Sequence, residues 1–199
     1  MTLPDPVAAK AALRLLVRNR RKDLAKARPD ADRAVVEVAR APLAARFPDP
    51  AGKVAALYVA LGSELDPRTL AEALAAQGWT LALPSVEGAQ RAMVFRRWAP
   101  GQPLTRDAIG MTAPEPSSPL VEPDLVVAPL LAFDRRGRRL GQGGGYYDRA
   151  LEALRARREV FVLGLAYVGQ ETHGLPNEPH DQGLDAILTE SEYIAVRKE

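Results

Sequence analysis

The glycine-rich segment at residues 133–149, FDRRGRRLGQGGGYYDR, combines the residue types that bind phosphate. It contains four closely spaced arginines, Arg135, Arg136, Arg138 and Arg139. Glycines let the backbone turn several N–H groups toward an anion, and the N-terminus of the helix predicted to follow adds partial positive charge. Arginine clamps phosphate oxygens, and Asp148 in the first turn of that helix suits a hydrated Mg²⁺ that bridges them. The segment therefore predicts a nucleoside polyphosphate site, with a flexible basic surface turn as the alternative.

Neither common nucleotide fingerprint accounts for this segment. It lacks the GxxxxGK[ST] pattern of a Walker A loop. Residues 141–146 lack the last glycine of GxGxxG, and the loop is too long after the strand predicted before it. The phosphate prediction therefore depends on the coincidence of arginines, glycines and one acid in a single loop.

The composition restricts the chemistry available elsewhere in the chain. The 199 residues include no Cys and two His, His173 and His180. This excludes disulfides, Cys nucleophiles, iron–sulfur clusters, zinc–thiolate sites and His-rich metal centres. Catalysis must then use carboxylates, Lys and Arg, hydroxyls, backbone amides or a bound cofactor. With 47% apolar and 26% charged residues, we expect one folded domain over residues 1–199.

Positive charge is concentrated at the beginning of the chain. Residues 1–46 hold eleven Lys and Arg against five Asp and Glu, whereas the rest holds sixteen against twenty. Such a basic segment suits nucleic acid or an anionic membrane, but a net charge of +2 is too small for a general polyanion binder. The sequence has no run of about 18 apolar residues and no signal-peptide pattern. We therefore expect a cytoplasmic monomer without a membrane or nucleic-acid partner.

Helices and strands alternate along the chain. Helices are predicted over residues 5–26, 31–46, 67–78 and from the glycines to about residue 157. Strands are predicted over residues 53–61, 80–83, 93–97, 125–129, 160–166 and 186–189, and the proline-rich residues 99–123 are predicted as a loop. This order predicts an α/β fold with a mainly parallel, Rossmann-like sheet covered by helices on both faces. In such folds, ligands bind beyond the carboxyl ends of the strands.

Residues 124–151, DLVVAPLLAFDRRGRRLGQGGGYYDRAL, resemble the signature of the 5-formyltetrahydrofolate cyclo-ligase family, also called 5,10-methenyltetrahydrofolate synthetases. Further similar segments are KAALR in the first helix, YVALGSELDP, and LPNEPHDQGLDAILTE near the other end, so the resemblance covers almost the whole chain. It implies conversion of 5-formyltetrahydrofolate into 5,10-methenyltetrahydrofolate with ATP and Mg²⁺, releasing ADP and phosphate. It also implies that the formyl oxygen is phosphorylated and that N10 closes the ring.

The resemblance assigns residues to ATP and to the metal. Those implied for ATP are Lys10, Arg14, Arg139, Leu140, Gly141, Gln142, Gly143, Gly144, Gly145, Tyr146 and Tyr147. Those implied for Mg²⁺ are Asp148 and Asp181. Without the resemblance, a solvated helix face is the preferred interpretation of Lys10 and Arg14. For Asp181, a turn residue is an equal alternative.

The resemblance also implies a folate site and a catalytic set. The folate contacts are Val59, Glu64, Gln142, Gly143, Gly144, Gly145 and Tyr146, and the catalytic residues are Lys10, Arg139, Tyr146 and Asp148. The alternatives are core packing for Val59, an acid near a helix N-cap for Glu64, and packing of the loop by the two tyrosines. Ser85 and Gln142 depart from the family pattern, and Glu115 is a weaker substrate-loop candidate.

Two other functional classes remain open at this point. Similar α/β folds host sugar-phosphate isomerases and CoA-transferase-like proteins, which bind phosphorylated ligands without hydrolysing ATP. A nucleic-acid-binding module would use the basic first helix and the arginine-rich loop, although aromatic residues are sparse at 6%.

Overall fold

The computed structural model describes residues 6–88 and 92–197, and over these it contains four α-helices and a short 3-10 helix, Val168–Gln170. The α-helices are α1 (Pro6–Ala27), α2 (Ala31–Arg46), α3 (Arg68–Ala76) and α4 (Tyr146–Arg155). The strands are β1 (Val54–Ala56), β2 (Thr80–Val86), β3 (Met93–Arg97), β4 (Leu104–Arg106), β5 (Thr112–Pro114), β6 (Leu125–Pro129), β7 (Ala132–Phe133), β8 (Arg139–Leu140), β9 (Phe161–Leu165), β10 (Ala186–Leu188) and β11 (Tyr193–Ala195). Within the described ranges, none of the helices is long and apolar enough to cross a membrane.

Seven of these strands form the central sheet, in the order β11-β10-β9-β6-β1-β2-β3. The inner pairs, from β10 to β2, are parallel, and the edge strands β11 and β3 pair antiparallel. The expected α/β class with a mainly parallel sheet is therefore confirmed. Because β9, β6, β1 and β2 run in the same direction, the segments that follow them emerge at one edge of the sheet.

Alternate residues of the strands divide the core into two layers, as the period of two in a strand requires. In β6, Leu125 and Val127 lie in the cluster formed with α2 and α3, whereas Val126 and Ala128 lie in the cluster formed with α4. Helices thus cover both faces of the sheet. The remaining helix, α1, buries Val17 in a third cluster with residues of β7 and β8, against the loops at the carboxyl edge.

The strand predicted over residues 53–61 is largely wrong, because β1 ends at Ala56. Leu57 and Tyr58 are 1% and 5% exposed, yet they belong to an irregular segment. The turn that follows needs Gly62, whose φ of +60° lies in the left-handed region. A continuous apolar run indicates that residues are buried, but not that they form a strand, and here the buried residues continue past the end of β1.

Pairing across the sheet also changes other predicted bounds. The strand predicted over residues 80–83 continues to Val86, because β3 pairs with β2 after β1 has ended. Residues 99–123, predicted as a loop, contain the hairpin β4–β5, and the glycine-rich segment contains the hairpin β7–β8. Strand β11 was not predicted. Short edge strands tolerate proline and polar residues, so their sequences resemble loops.

Candidate active site

A cavity of about 520 Å³ opens at the carboxyl edge of the sheet. Its wall contains all fifteen residues assigned to the site from the sequence, namely Lys10, Arg14, Val59, Glu64, Arg139, Leu140, Gly141, Gln142, Gly143, Gly144, Gly145, Tyr146, Tyr147, Asp148 and Asp181. They come from α1, the segment after β1, the glycine-rich loop with the start of α4, and the connection between β9 and β10. The volume is in the usual range for small-molecule sites.

The basic face of α1 contacts the glycine-rich loop. Arg14 donates from Nε to the carbonyl oxygen of Gly141 at 3.0 Å. One turn further along, Arg18 donates from Nε and Nη2 to Oε1 of Gln142 at 3.1 and 2.9 Å. Lys10 is 5% exposed, so the alternative of a solvated helix face does not hold for this residue. The spacing of four residues therefore places three basic side chains on one face of α1, and two of them, Lys10 and Arg14, line the cavity.

Lys10 is bound by two carboxylates from the connection between β9 and β10. Its Nζ lies 2.5 Å from Oε2 of Glu178 and 2.7 Å from Oδ2 of Asp181. Burial favours the neutral amine, but hydrogen bonds and charge from Asp181 and Glu178 outweigh it and raise the pKa of Lys10. Burial likewise favours the protonated acid, yet the hydrogen bonds from Lys10 and the Glu178 N–H lower the pKa of Asp181. Lys10 and Asp181 are therefore both charged at neutral pH.

The two predicted metal acids meet at the same corner of the cavity. Oδ1 of Asp148 accepts hydrogen bonds from Nη2 of Arg139 at 2.6 Å and from the backbone N–H of Gln182 at 3.0 Å. Because Gln182 follows Asp181, this contact places Asp148 beside the segment that carries Asp181. Ligand atoms of Glu178, His180 and Asp181 lie within 4.8 Å of one another.

Arg139 carries a buried donor that the protein does not use. Its side chain is 6% exposed, and Nη1 has no hydrogen-bond partner among the described residues. The hydroxyl of Tyr147 is in the same situation, and burial raises the pKa of Tyr147, so this group stays a protonated donor. Buried donors without a partner are uncommon in folded proteins. Two of them on one cavity wall are what a site for an anionic ligand offers.

Gly143, Gly144 and Gly145 are favoured by the conformation of the loop. Gly143 and Gly145 have φ of +104° and +63°, in the left-handed region that other residues rarely adopt. A Cβ on Gly145 would lie 2.8 Å from Nη1 of Arg149, and one on Gly144 would lie 2.8 Å from the Tyr146 ring. Helix α4 begins directly afterwards, so its N-terminal N–H groups and their partial positive charge lie at the cavity.

Glu64 is held by a buried arginine that sequence reasoning missed. Its Oε1 accepts a hydrogen bond from Nη1 of Arg21 at 3.2 Å, and both side chains are 6% exposed. Its Oε2 accepts the Leu61 N–H at 3.0 Å, so Glu64 does not cap the following helix. Gln142 contacts the same carboxylate at 3.5 Å. Arg21 was detectable as the next basic residue on the helix face that carries Arg18.

Several other lining residues were not predicted. The side of the cavity near β2 and β3 is formed by Val86, Met93, Ile109 and Met111, with Ser85 and Asp107 beside them. Ile109 and Met111 were hidden in the segment predicted as a loop. Glu178 was also missed, although it stands in EPHD, three residues before Asp181. The cavity therefore has a charged side near β9 and an apolar side near β2 and β3.

The structure also removes some of the expected residues from the site. Of the four arginines that precede the glycines, Arg139 is the one found on the cavity wall, whereas Arg135 forms ion pairs with Glu171 and Glu192. Glu115 is exposed and is not among the lining residues. His180 lies at the wall, with Nε2 3.8 Å from Oε2 of Glu178 and 3.9 Å from Oδ1 of Asp181.

Together, the parallel sheet and a cavity at its carboxyl edge that is lined by both basic and acidic side chains are typical of an α/β protein with a small-molecule site. Comparison with known families makes this class specific. The model of the 5-formyltetrahydrofolate cyclo-ligase family matches residues 6–190. The chain therefore belongs to this family of enzymes, and the resemblance drawn from its motifs is confirmed.

Individual relatives agree with the family match. The 5-formyltetrahydrofolate cyclo-ligase of Haemophilus influenzae is 34% identical over 138 residues, which cover 67% of this chain and 73% of the relative. That of Escherichia coli K12 is 31% identical over 141 residues, covering 68% and 77%. Among solved structures, the NMR structure of 5,10-methenyltetrahydrofolate synthetase from Aquifex aeolicus is 29% identical, covers 96% of this chain and 94% of its own, and has a TM-score of 0.76. The Mycoplasma pneumoniae synthetase is 26% identical, covers 91% and 98%, and has a TM-score of 0.68.

Proposed function

We propose that this chain converts 5-formyltetrahydrofolate into 5,10-methenyltetrahydrofolate, with ATP and Mg²⁺, and releases ADP and phosphate. The observation that carries the proposal is the convergence of all fifteen assigned residues, from four separate segments, on one cavity. The names of the relatives agree with this substrate and product. An isomerase or transferase of similar fold would explain neither this convergence nor the family match.

In the proposed reaction, ATP turns a poor leaving group into a good one. The formyl oxygen attacks the γ-phosphorus, the bond to ADP breaks, and an N5-iminium phosphate forms. N10 then attacks the formyl carbon and loses its proton, and phosphate leaves as the five-membered ring closes. Phosphoryl transfer of this kind needs positioning and charge stabilisation more than a protein nucleophile. A chain without Cys is therefore equipped for it.

The basic wall of the cavity, formed by Lys10, Arg14 and Arg139, would bind and orient the phosphates. Arg139 supplies the unpartnered Nη1, and Arg14 is already fixed to the loop through Gly141. Lys10 lies at the same wall, bound to acids from which it can turn to a phosphate oxygen. The backbone amides of the loop and of the first turn of α4 add further donors. Removal of one such donor typically lowers the rate about 10²–10³-fold.

The acidic corner of the cavity, formed by Asp148, Glu178 and Asp181, offers the carboxylate oxygens that a magnesium ion prefers. Mg²⁺ is usually bound by one or two carboxylates together with substrate phosphates and water. We propose that Asp148 and Asp181 hold it, with Glu178 beside them; their positions next to the basic wall support this assignment. When bound, the ion would neutralise charge on the polyphosphate.

Glu64, Val59 and Tyr146 would bind the folate. Glu64 is held by Arg21 and by the Leu61 N–H, so it would present an oriented carboxylate to an N–H group of the substrate. Tyr146 packs on the apolar cluster of β2 and β3 and also belongs to the glycine-rich loop. It would thus contact both substrates, consistent with its place in the proposed catalytic set.

The proposal includes the physical state of the enzyme. We propose a single domain over residues 1–199 with a Rossmann-like sheet, acting as a cytoplasmic monomer without nucleic-acid or membrane partners. The two core layers share one continuous sheet, which supports a single domain. Sedimentation of the purified protein tests the monomer.

The function is tested by mixing the protein with MgATP and 5-formyltetrahydrofolate and following the absorbance of the methenyl product. We expect a signal that needs ATP, that chelation of Mg²⁺ abolishes, and that is accompanied by phosphate release. Absence of ATP-dependent product from a folded protein would refute the proposal. Turnover of sugar phosphates or of CoA thioesters instead would favour the alternative enzyme classes.

A further inference from the structure

The loop between β4 and β5, residues 107–111, is tied to the end of β2 by one carboxylate. Oδ2 of Asp107 accepts the Val86 N–H at 2.9 Å. Oδ1 accepts the Ile109 N–H at 3.0 Å and the Met111 N–H at 2.9 Å. A second link runs from the Ala108 N–H to the Val86 carbonyl oxygen at 3.1 Å. Asp107 therefore fixes both the shape of the loop and its attachment to the sheet.

This anchoring builds the apolar side of the cavity. Ile109 and Met111 line it together with Val86 and Met93. Both oxygens of Asp107 already accept backbone N–H groups, so the residue is arranged to hold the loop rather than to transfer protons. Its acidic side chain on a cavity wall is thus a positioning group.

The order of the strands places this wall relative to the reacting groups. The acidic corner follows β9, the glycine-rich loop follows β6, Glu64 follows β1, and the apolar wall lies beyond them at β2 and β3. A substrate whose formyl oxygen meets the terminal phosphate and which contacts Glu64 must extend toward that wall. Flexible thioethers, here Met93 and Met111, adapt to and contact aromatic rings favourably.

We propose that Asp107 is a positioning residue that holds Ile109 and Met111 against the ring system of the reduced folate, and so sets the affinity for this substrate and not for ATP. The inference rests on the proposed function. An alternative occupant of the wall is the adenine ring of ATP, and the measurements below separate the two ligands.

The test compares Asp107→Ala with Asp107→Asn. The alanine variant loses all three acceptor contacts, whereas asparagine keeps the shape and one carbonyl oxygen. We expect the alanine variant to raise the KM and the Kd for 5-formyltetrahydrofolate by roughly tenfold or more, and the asparagine variant to raise them less. The Kd for a non-hydrolysable ATP analogue should change by less than about twofold, because in the proposed arrangement the analogue does not contact this wall.

Two further variants separate positioning from loss of stability. Met111→Ala removes a wall side chain and leaves the Asp107 contacts intact, so it should also raise the KM for the folate even if the Asp107 variants fold poorly. Asp124→Ala is the matched control, because Asp124 accepts the Val54 N–H at the opposite edge of the sheet. It should lower the melting temperature without changing either KM.

The outcomes are distinct. Unchanged folate affinity in Asp107→Ala and Met111→Ala, or an equal or larger loss of affinity for the ATP analogue, would overturn the assignment of the wall. If the unmodified enzyme gives no product, the proposed function fails. Calorimetric binding of 5-formyltetrahydrofolate alone then still tests the wall, and absence of that binding would overturn this inference as well.

Discussion

Replacing Lys10, which contacts two acids, should lower the stability of the fold and increase the binding of a metal ion by these acids. In Lys10→Met the apolar stem of the side chain is largely kept and the ammonium is lost. Two charge-assisted hydrogen bonds, to Glu178 at 2.5 Å and to Asp181 at 2.7 Å, disappear. The acids are left as neighbouring carboxylates without their counter-charge.

The size of the effect follows from burial. Breaking a fully buried ion pair costs about 3–5 kcal/mol, whereas an exposed pair contributes about 0–1 kcal/mol. Here Lys10 is 6% exposed, but Glu178 and Asp181 are 28% and 18% exposed, so the cost lies between these limits, at about 2 kcal/mol. At 2–4 °C per kcal/mol for a chain of this size, the melting temperature should fall by about 4–8 °C.

The loss should depend on pH in a defined way. Lys10 has a raised pKa, so its contribution is complete below 10.5 and is lost as the pH rises through the pKa of the folded state. Asp181 has a lowered pKa, so its contribution is complete above 3.8 and is lost as the pH falls through the pKa of the folded state. The difference between the variant and the wild type should therefore be constant between about pH 5 and pH 9 and shrink in stronger acid.

The assay is thermal unfolding with and without Mg²⁺ or Mn²⁺, in the absence of nucleotide. Without the ammonium, the two carboxylates are available to an added ion, so the ion should stabilise Lys10→Met more than the wild type. Lys26→Met, an exposed lysine in the last turn of the same helix, is the control and should behave as wild type. Equal stabilisation of all three proteins, or equal melting of the two variants, would refute the reasoning.

Three further changes test the site and the fold around it. Asp148→Ala should abolish most ATP-dependent product formation and leave the circular dichroism spectrum intact; activity at the wild-type level would remove the proposed metal role. Arg21→Met should lower the free energy of unfolding in urea by about 3 kcal/mol, because Glu64 is left buried without its counter-charge, and adding Glu64→Gln should recover most of it; no recovery would contradict the pairing. Gly137→Ala should cost more than Gly174→Ala by thermal unfolding, because both have positive φ and the first also places a Cβ 2.7 Å from the backbone oxygen of Leu184; equal losses would show that the backbone conformation alone determines the cost.

Sequence patterns were most informative where structure is local. Helix α2 and the strands β3 and β6 have the predicted bounds, because a proline, a glycine or a change of polarity marks each end. The glycine-rich loop was recognisable because its backbone conformation needs glycine at Gly143 and Gly145. The fifteen residues that the family motifs assigned to the site all line the cavity, and their roles stay predictions.

Contacts between distant segments were not predictable in this way. Nothing local marks Glu178 as a partner of Lys10, or Arg21 as the partner of Glu64, because each pair forms only when the fold is complete. The same holds for the hairpin β4–β5, whose place at the cavity depends on the contact between Asp107 and β2. Lys10 and Glu64 were assigned to the site from the sequence, but the residues that bind them, Glu178 and Arg21, were not.

The separation between Lys10 and its acids has a consequence for how the protein is made. The ammonium joins residues 168 and 171 positions further along the chain, so the acidic corner can form only after the ribosome has released the segment that follows β9. Until then, Lys10 lacks its counter-charges, and joining residues so far apart has an entropic cost that grows with the length of the closed loop. A nascent chain interrupted before residue 178 would carry the glycine-rich segment without the two carboxylates that bind Lys10. The site can therefore be complete only after most of the chain has been synthesised.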